Sequence, residues 1–142
     1  MTDTDCIFCK IIDGELPSRT VYEDDEVIAF LDVNPLQRGH TLVVPKQHEA
    51  GVDDLDEEVS EAVFEKVRQL APRVKDAVDA PAYNIGLNNG GEAGQEVPHV
   101  HFHIVPRFEG DGGGPIHAIM PSTLDLSDGE MDEIEESIKE NL

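Results

Sequence analysis

Residues 98–107 read PHVHFHIVPR and place three histidines, His99, His101 and His103, at every second position. In an extended strand, alternate side chains point to the same face of the sheet. The pattern therefore predicts a strand over residues 99–105 that presents a row of imidazoles, with about 6–7 Å between neighbours, on one face. The opposite face is apolar and is expected to pack on the core through Val100, Phe102 and Ile104.

Such a row favours a chemical role over a purely structural one. A single histidine on a strand is usually a satisfied polar residue, but three in register would repel one another if all were charged. Neutral imidazoles ligate metals, transfer protons or attack as nucleophiles. A cupin-type metal barrel is an alternative, because H-x-H pairs on strands hold metal there. The sequence does not favour a cupin-type barrel, which needs a carboxylate and a further histidine at set distances. Glu109 is not framed by properly spaced glycines, and His117 lies just past a glycine loop and not on a late strand.

The rest of the chain predicts an α+β fold, with a mainly antiparallel sheet of about five strands, one long helix and a C-terminal helix. Apolar residues at three- and four-residue steps from Leu55 to Val78 predict the long helix. Asp53 or Asp54 is its expected N-cap, and Pro72 is expected to kink or divide it. Short runs rich in β-branched or aromatic residues predict the other strands, at 18–23, 27–31, 41–45 and 83–88.

The C-terminal region has its own signals. SDGE at 127–130 is a candidate capping box, and it precedes an apolar stripe formed by Met131, Ile134 and Ile138. EGDGGGP at 109–115 predicts a loop. A length of 142 residues fits one domain, and we expect a single domain over 1–142 with a core at 6–108 and a C-terminal extension at 109–142.

Charge and composition exclude several classes of function. The chain has 31 acidic and 10 basic residues and a formal net charge of −21. Such a surface repels nucleic acids and anionic membranes, so neither is an expected partner. Carboxylates spread along a whole chain are typical of a halophile, the alternative being an ordinary acidic protein. With no bilayer-length apolar run, and with a start (MTDTDC) unlike a signal peptide, we expect a cytoplasmic protein.

Three segments, taken in order, resemble one known family. They are CIFCKIIDGELPS at 6–18, VYEDDEVIAFLDVNPLQRGHTLVVPKQH at 21–48 and NNGGEAGQEVPHVHFHIVPR at 88–107. The chain resembles the histidine triad (HIT) family, and within it the Hint-type and related bacterial or archaeal nucleotide hydrolases. The resemblance implies a HIT-like fold, a homodimer, and hydrolysis of a nucleotidyl bond.

The resemblance also implies a role for each matching position. His101 would attack the α-phosphorus and become transiently nucleotidylated, with water hydrolysing the intermediate. The other ring nitrogen of His101 would bond to a backbone carbonyl of the same strand. His99 and His103 would flank it, His103 contacting the phosphate, and His40 would support the triad. Asp32 would bind both ribose hydroxyls. The remaining nucleotide-binding positions are a phosphate-side loop and an apolar slot for the base: Asn88, Gly94, Gln95 and Glu96 in the loop, and Phe8, Ile11, Leu16 and Phe30 in the slot. Taken singly, several of these are equally typical of turns or core.

Two features depart from the simplest pattern of the family. Many relatives have Ser or Thr where this chain has Glu96, whose ionised side chain only accepts hydrogen bonds. Either that side chain turns away from the phosphate or the leaving-group preference differs. Cys6 and Cys9 form a C-x-x-C, which in a cytoplasmic chain indicates a metal half-site or a redox pair. Some relatives bind zinc at the matching positions, so the resemblance implies a closed structural site of Cys6, Cys9, His48 and His99.

The implied activity is hydrolysis at the α-phosphate of a purine nucleotide, such as an adenosine phosphoramidate. The galactose-transfer branch of the family has glutamine in place of the third triad histidine, and the retained His103 therefore favours hydrolysis. Two alternatives remain at this stage. One is a dinucleoside polyphosphate hydrolase, and the other is a zinc-stabilised nucleotide-binding scaffold with little turnover. No organic cofactor is expected.

Overall fold

A five-stranded antiparallel sheet with the strand order β1-β2-β3-β5-β4 forms the centre of the computed structural model, which describes residues 5–142. The predicted α+β class is confirmed. The start of the chain at 1–4, which entered the signal-peptide prediction, lies outside the described residues. The strands are β1 (Thr20–Glu23), β2 (Val27–Leu31), β3 (Thr41–Pro45), β4 (Ala82–Leu87) and β5 (Phe102–Arg107). The helices are α1 (Ile7–Ile12), α2 (Glu57–Ala77) and α3 (Asp128–Glu140).

Helix α2 covers one face of the sheet. Its buried positions Val63, Val67 and Ala71 recur at four-residue steps and therefore lie on one side of the helix. They pack against a sheet face that includes Val100, Phe102 and Ile104, each 0–3% exposed. The predicted apolar half of the histidine motif is thus confirmed. Because this face is filled, the histidines project to the opposite side of the sheet.

Two details of α2 differ from the prediction. The N-cap is Asp56, and the aspartates predicted for that role, Asp53 and Asp54, lie in a preceding 3-10 turn. The helix runs undivided through Pro72, so the predicted break does not occur. Pro72 is exposed, and the carbonyl group that its missing N–H leaves without a helical partner can therefore bond to water.

Strand β5 begins at Phe102 and not at His99 as predicted. Its ladder with β3 covers only Thr41 to Val43, and Val100 instead donates its N–H to the carbonyl of Glu49, at 2.9 Å. His99 and His101 therefore lie in the segment that leads into the strand. Alternation of side chains nevertheless continues through this segment.

Helix α1 was not predicted, because six residues are too few to show a helical period. Cys6 caps its start, with the sulfur accepting a hydrogen bond from the N–H of Cys9 at 3.4 Å. Together with the second sheet face, α1 forms a second apolar cluster, which includes Phe8, Phe30 and Leu42. The helix thereby brings both cysteines to the face of the sheet that carries the histidines.

The C-terminal region follows the prediction closely. Residues 109–115 form a loop, and α3 begins with the predicted capping box, in which Ser127 and Glu130 bond reciprocally. None of the residues of α3 is buried. Among the described residues, no helix is long and apolar enough to cross a membrane.

Candidate histidine active site and Cys–His cluster

The sheet face opposite α2 carries the three motif histidines in a row. His99 is 0% exposed and His101 is 7% exposed, while the ring of His103 lies 5.1 Å from that of His101, centroid to centroid. Phe8 of α1 packs edge-on against His101, with ring centroids 5.0 Å apart. The row is therefore packed at the end near α1 and more open at His103.

The hydrogen bond of His101 defines which of its ring nitrogens can react. Nδ1 lies 2.8 Å from the backbone oxygen of His99. A carbonyl oxygen only accepts hydrogen bonds, so Nδ1 carries the proton and donates it. In the neutral ring the lone pair is then on Nε2. This is the arrangement that a nucleophilic imidazole requires.

A second chain of bonds defines the state of His103. The backbone N–H of Leu36 donates to Nδ1 of His40 at 3.0 Å, so the proton of neutral His40 is on Nε2. That Nε2 lies 2.9 Å from Nδ1 of His103 and donates to it. In neutral His103 the proton is consequently on Nε2, which becomes a hydrogen-bond donor.

Burial keeps both of these histidines neutral near pH 7. The pKa of His103 is lowered to about 4, chiefly by burial and also by the nearby His101 and His40 rings, with the carboxylate of Asp32 opposing the shift. Burial also lowers the pKa of His40, and Asp32 again opposes the shift. The assignment of protons along this chain therefore holds at neutral pH.

Asp32, His40 and His103 bring three potential ligand atoms within 4.8 Å of one another, but they fit a metal poorly. A metal on Nε2 of His40 needs the lone pair there, which would move the ring proton to Nδ1. That proton would then face the N–H of Leu36. The cluster is better described as a hydrogen-bonded acid–base group than as a metal centre.

Asp32 lies in the turn between β2 and β3. One carboxylate oxygen accepts the N–H of Asn34 at 2.8 Å, and the other lies 3.7 Å from Nε2 of His40. The residue is thus both a turn former and a carboxylate beside the histidine row. Each oxygen keeps acceptor capacity for a ligand hydroxyl. Its predicted role in ribose binding stays a prediction.

The side chain of Gln95, in the predicted phosphate-side loop, is bonded to backbone groups of the protein. Its side-chain oxygen accepts the N–H of Gly90 at 2.8 Å, and its nitrogen donates to the carbonyls of Ala50 and Val97 at 2.8 and 3.0 Å. The side chain therefore holds the shape of the loop. The backbone N–H of Gln95 is also bonded, to the carbonyl of Gly90 at 3.2 Å.

The neighbouring loop residues are compatible with an anion site. Gly94 has φ +97°, a conformation that favours glycine, and the amide of Asn88 lies beside it. Asn88 also lines the cavity next to His103. Glu96 is exposed, and both predicted alternatives for its side chain stay predictions.

Of the four predicted base-slot residues, three lie together. Phe8 and Phe30 are buried and meet edge-on with ring centroids 5.6 Å apart, and Ile11 packs against the same cluster. Leu16 is 37% exposed and lies outside the cluster. Phe8 therefore belongs to the core and also contacts the histidine row.

Cys6, Cys9, His48 and His99 converge at the other end of the row, with one ligand atom from each lying within 4.8 Å of the others. Nδ1 of His99 lies 3.4 Å from Sγ of Cys6, 3.6 Å from Sγ of Cys9 and 3.1 Å from Nδ1 of His48. A tetrahedral zinc ion with ordinary Zn–S and Zn–N bonds separates such ligand atoms by about 3.3–3.6 Å. The four side chains therefore fit zinc.

The orientation of His99 supports the same conclusion. Its Nε2 donates to the carbonyl of Pro45 at 2.7 Å, which leaves the lone pair on Nδ1, facing the sulfurs. Its pKa is lowered to about 4, chiefly by burial, with the bond to the Pro45 carbonyl opposing the shift and the nearby His48 and His101 rings contributing to it. Zinc-binding histidines usually donate their second ring nitrogen to a carbonyl in this way. Both cysteines are thiols and not a disulfide.

Sequence reasoning missed the groups that set the proton positions, because they belong to the backbone. They are the N–H of Leu36 and the carbonyl oxygen of Pro45. No residue type marks these groups in a sequence. The cupin alternative is wrong: the described residues form a single sheet with helices, and Glu109 and His117 belong to neither cluster.

Comparisons with known proteins agree with this geometry. The family model described as the HIT domain matches residues 13–110. A Methanocaldococcus jannaschii protein named as an uncharacterized HIT-like protein is 55% identical over 75% of this chain and 82% of its own. Adenosine 5′-monophosphoramidase HNT1 of Saccharomyces cerevisiae is 42% identical over 78% of this chain and 68% of its own. Adenylylsulfatase HINT3 of Arabidopsis thaliana is 42% identical over 75% of this chain and 54% of its own.

Solved structures extend the likeness. A member of the HIT family of proteins from Bacillus subtilis superposes with a TM-score of 0.87 at 40% identity, covering 97% of each chain. A Zn-bound histidine triad family protein from Mycobacterium smegmatis has a TM-score of 0.72 at 37% identity, covering 76% of this chain and 78% of its own.

Proposed function

The chain belongs to the HIT family, and from this we propose that it is a nucleotide hydrolase that cleaves a bond at the α-phosphate of a purine nucleotide, with a phosphoramidate as its substrate. The observation that carries the proposal is the bond from Nδ1 of His101 to the carbonyl of His99, because it leaves Nε2 as the reactive lone pair. Two similar proteins, at 42% identity each, are named adenosine 5′-monophosphoramidase and adenylylsulfatase. Both names refer to derivatives of adenosine 5′-phosphate.

The proposed reaction has two steps. Nε2 of His101 forms a bond to the α-phosphorus while the bond from phosphorus to the leaving group breaks, and the leaving group takes a proton from solvent as it departs. Water then forms a new phosphorus–oxygen bond while the phosphorus–nitrogen bond to His101 breaks, and the proton lost by this water passes to solvent. This releases the nucleoside monophosphate and restores the free imidazole.

The other proposed roles follow from position and chemistry. Nε2–H of His103 is a donor beside His101 and is suited to an oxygen of the phosphoryl group. His40 holds that donor in place. Asp32 would accept from the ribose hydroxyls. The loop and slot residues named above complete the proposed nucleotide site: Asn88, Gly94, Gln95 and Glu96 with Phe8, Ile11, Leu16 and Phe30.

We also propose that Cys6, Cys9, His48 and His99 hold a structural zinc ion. The support is the fit of the four ligand atoms to a tetrahedron and the Zn-bound relative from Mycobacterium smegmatis. When bound, the ion supplies a cross-link between α1 and the segment that carries the nucleophile. Four protein ligands leave no position for a catalytic water, so no step of the reaction uses the metal.

The working form that we propose is a single-domain chain that pairs as a homodimer in a salt-rich cytoplasm. Helix α3 presents Met131, Ile134 and Ile138 to solvent, and an isolated helix of this length is marginal in water without a packing partner. A net charge of −21 on each copy makes pairing depend on screening by salt. Sedimentation velocity at low and high salt tests this, with a salt-independent monomer as the contrary result.

A turnover assay tests the proposed activity. The purified protein is incubated in high salt with adenosine 5′-phosphoramidate and with diadenosine tetraphosphate, beside His101→Ala and beside His117→Ala as a matched control. His117 is exposed and belongs to neither cluster. We expect phosphoramidate hydrolysis by the parent and the control and none by His101→Ala. Preference for the tetraphosphate would favour the polyphosphate alternative, and nucleotide binding without turnover would favour the scaffold.

A further inference from the structure

The side-chain amide of Gln95 joins the two segments that carry the histidines of the Cys–His cluster. Its nitrogen donates to the carbonyl of Ala50 at 2.8 Å and to the carbonyl of Val97 at 3.0 Å. Ala50 lies two residues after His48, and Val97 lies two residues before His99. One half-buried amide therefore bridges the chain on either side of the proposed metal site.

Segments 48–50 and 97–100 are joined by a backbone bond as well. The N–H of Val100 donates to the carbonyl of Glu49 at 2.9 Å. A zinc ion ligated by the histidine of each segment would connect them a third time. The metal and the amide of Gln95 therefore hold the same two segments together.

The other end of this side chain shapes the loop after β4, on the predicted phosphate side of the nucleotide. The oxygen of Gln95 accepts the N–H of Gly90 at 2.8 Å, which closes the loop on itself. A second cross-link lies beside it, because Oδ1 of Asn89 accepts the N–H of Val52 at 2.8 Å. Both side chains tie the phosphate-side loop to the loop between β3 and α2, which carries His48.

Two ligands that order the same segments help each other to bind. A metal that fixes segments 48–50 and 97–100 also fixes the carbonyl groups that accept from Gln95. A phosphate that fixes the phosphate-side loop also fixes Gln95 itself. The second ligand then loses less conformational entropy on binding than the first. Because binding free energies are linked, the effect is the same in both directions.

We infer that Gln95 is a positioning residue that couples the metal site to the phosphate side of the nucleotide site, so that zinc and a nucleoside monophosphate strengthen each other's binding. The inference rests on the proposed function, since it needs both the nucleotide site and the zinc site. It gives the metal an effect on the phosphate-side loop in addition to its cross-link at α1. The metal still takes no part in the chemical step.

Zinc retention tests the coupling. The zinc-loaded protein, in high salt, is titrated with a chelator without ligand, with saturating AMP and with saturating adenosine, and elemental analysis measures the zinc that remains. We expect AMP to raise the chelator concentration that removes half of the zinc by about fivefold. Adenosine, which has no phosphate, should leave that concentration nearly unchanged. Calorimetry confirms the saturation of each protein.

Variants of Gln95 separate coupling from stability. Gln95→Glu removes the donor and keeps the oxygen that accepts from Gly90, and Gln95→Met removes the amide without adding charge. In both variants AMP should no longer raise zinc retention, whatever the zinc affinity itself. Gln69→Glu is the matched control, because it makes the same change of charge at an exposed position of α2, and it should keep the full effect. Asn89→Ala, which removes the second cross-link, should lose part of the effect.

An equal effect of AMP in the parent and in both Gln95 variants would overturn the coupling. So would an equal effect of AMP and adenosine, because the coupling would then run through the base slot, where Phe8 lies between the two cysteines in the chain. A parent that binds AMP and zinc without an effect of one on the other refutes the coupling alone. A parent that binds no AMP refutes the proposed function, and one that holds no zinc refutes the metal site, and either result removes the coupling too.

Discussion

His40 and His103 are joined by a hydrogen bond of 2.9 Å between Nε2 and Nδ1, although 63 residues separate them in the chain. The bond has a direction, because the N–H of Leu36 occupies the other nitrogen of His40. The proton of His103 is thereby placed on Nε2. His40 is therefore a positioning residue that acts through His103.

Removing His40 should lower kcat more than it changes KM. In His40→Ala the Nδ1 atom of His103 loses its donor, and an unsatisfied buried group costs about 1–3 kcal/mol, which corresponds to a rate loss of about 5- to 150-fold. His40→Gln keeps an N–H near the same place and should restore part of the rate. Steady-state kinetics of both variants measure this. Equal losses in the two variants would contradict a role for the donated proton.

The free energy of unfolding should fall as the pH drops from about 6.5 to about 4. Burial lowers the pKa of His103 to about 4, so in this window the unfolded chain binds a proton that the folded protein does not. Stability is therefore complete above the ordinary histidine pKa and is lost as the pH falls toward the lowered value. Denaturant titrations across this range measure it, and His103→Gln should flatten the slope. An unchanged slope in that variant would show that the folded protein does not exclude the proton from His103.

Asp32 should contribute to nucleotide affinity through the ribose. Losing a charged acceptor costs at most about 1.5–3 kcal/mol for each hydroxyl bond. Asp32→Asn should therefore bind AMP more weakly, and the parent should bind 2′,3′-dideoxy-AMP more weakly than AMP. Calorimetry measures both. Because Asp32 also accepts the N–H of Asn34, an Asn34→Ala control that retains this N–H shows whether the turn itself is sensitive. Equal affinity of the parent for the two nucleotides would remove the ribose assignment.

The Cys–His cluster should carry about one zinc ion per chain, because one closed site has four ligands. The double change Cys6→Ser and Cys9→Ser should lose the ion and lower the Tm, while activity survives in part below that temperature. Elemental analysis and thermal denaturation measure this, with His117→Ala as the control that keeps the metal. A parent prepared with zinc available that contains none would contradict the site. A serine variant that keeps a full complement would also contradict it.

The sequence predicted what depends on repeated side-chain patterns. Strands β2 and β3 match their predicted ranges at both ends, and the capping box at Ser127 is present, because alternation and cap residues are local signals. The start of β5 was misplaced, since pairing with β3 and not alternation determines where the ladder begins. The predicted division of α2 at Pro72 was wrong, because the carbonyl that loses its helical N–H donor at this proline can bond to water.

In the candidate site, too, some features could be predicted from the sequence and others could not. The resemblance to the family predicted that Cys6, Cys9, His48 and His99 would gather, and these four side chains do converge. The backbone carbonyl that binds Nδ1 of His101 was implied by the family resemblance. The protons on His40, His99 and His103 could not be predicted, because groups that leave no mark in the sequence determine them. The hydrogen bond from the side chain of Gln95 to the carbonyl of Ala50 was missed for a related reason, since it depends on how two distant loops fold together.

The central claim is that His101 attacks phosphorus, and trapping the covalent intermediate tests it most directly. The enzyme is mixed rapidly with adenosine 5′-phosphoramidate, quenched in base, where phosphorus–nitrogen bonds to histidine persist, and digested for peptide mass spectrometry. The account predicts an adenylyl group on His101, in the peptide that contains His99–Arg107, and none in His101→Ala. An adduct on His103 or His99, or turnover by His101→Ala, would contradict it.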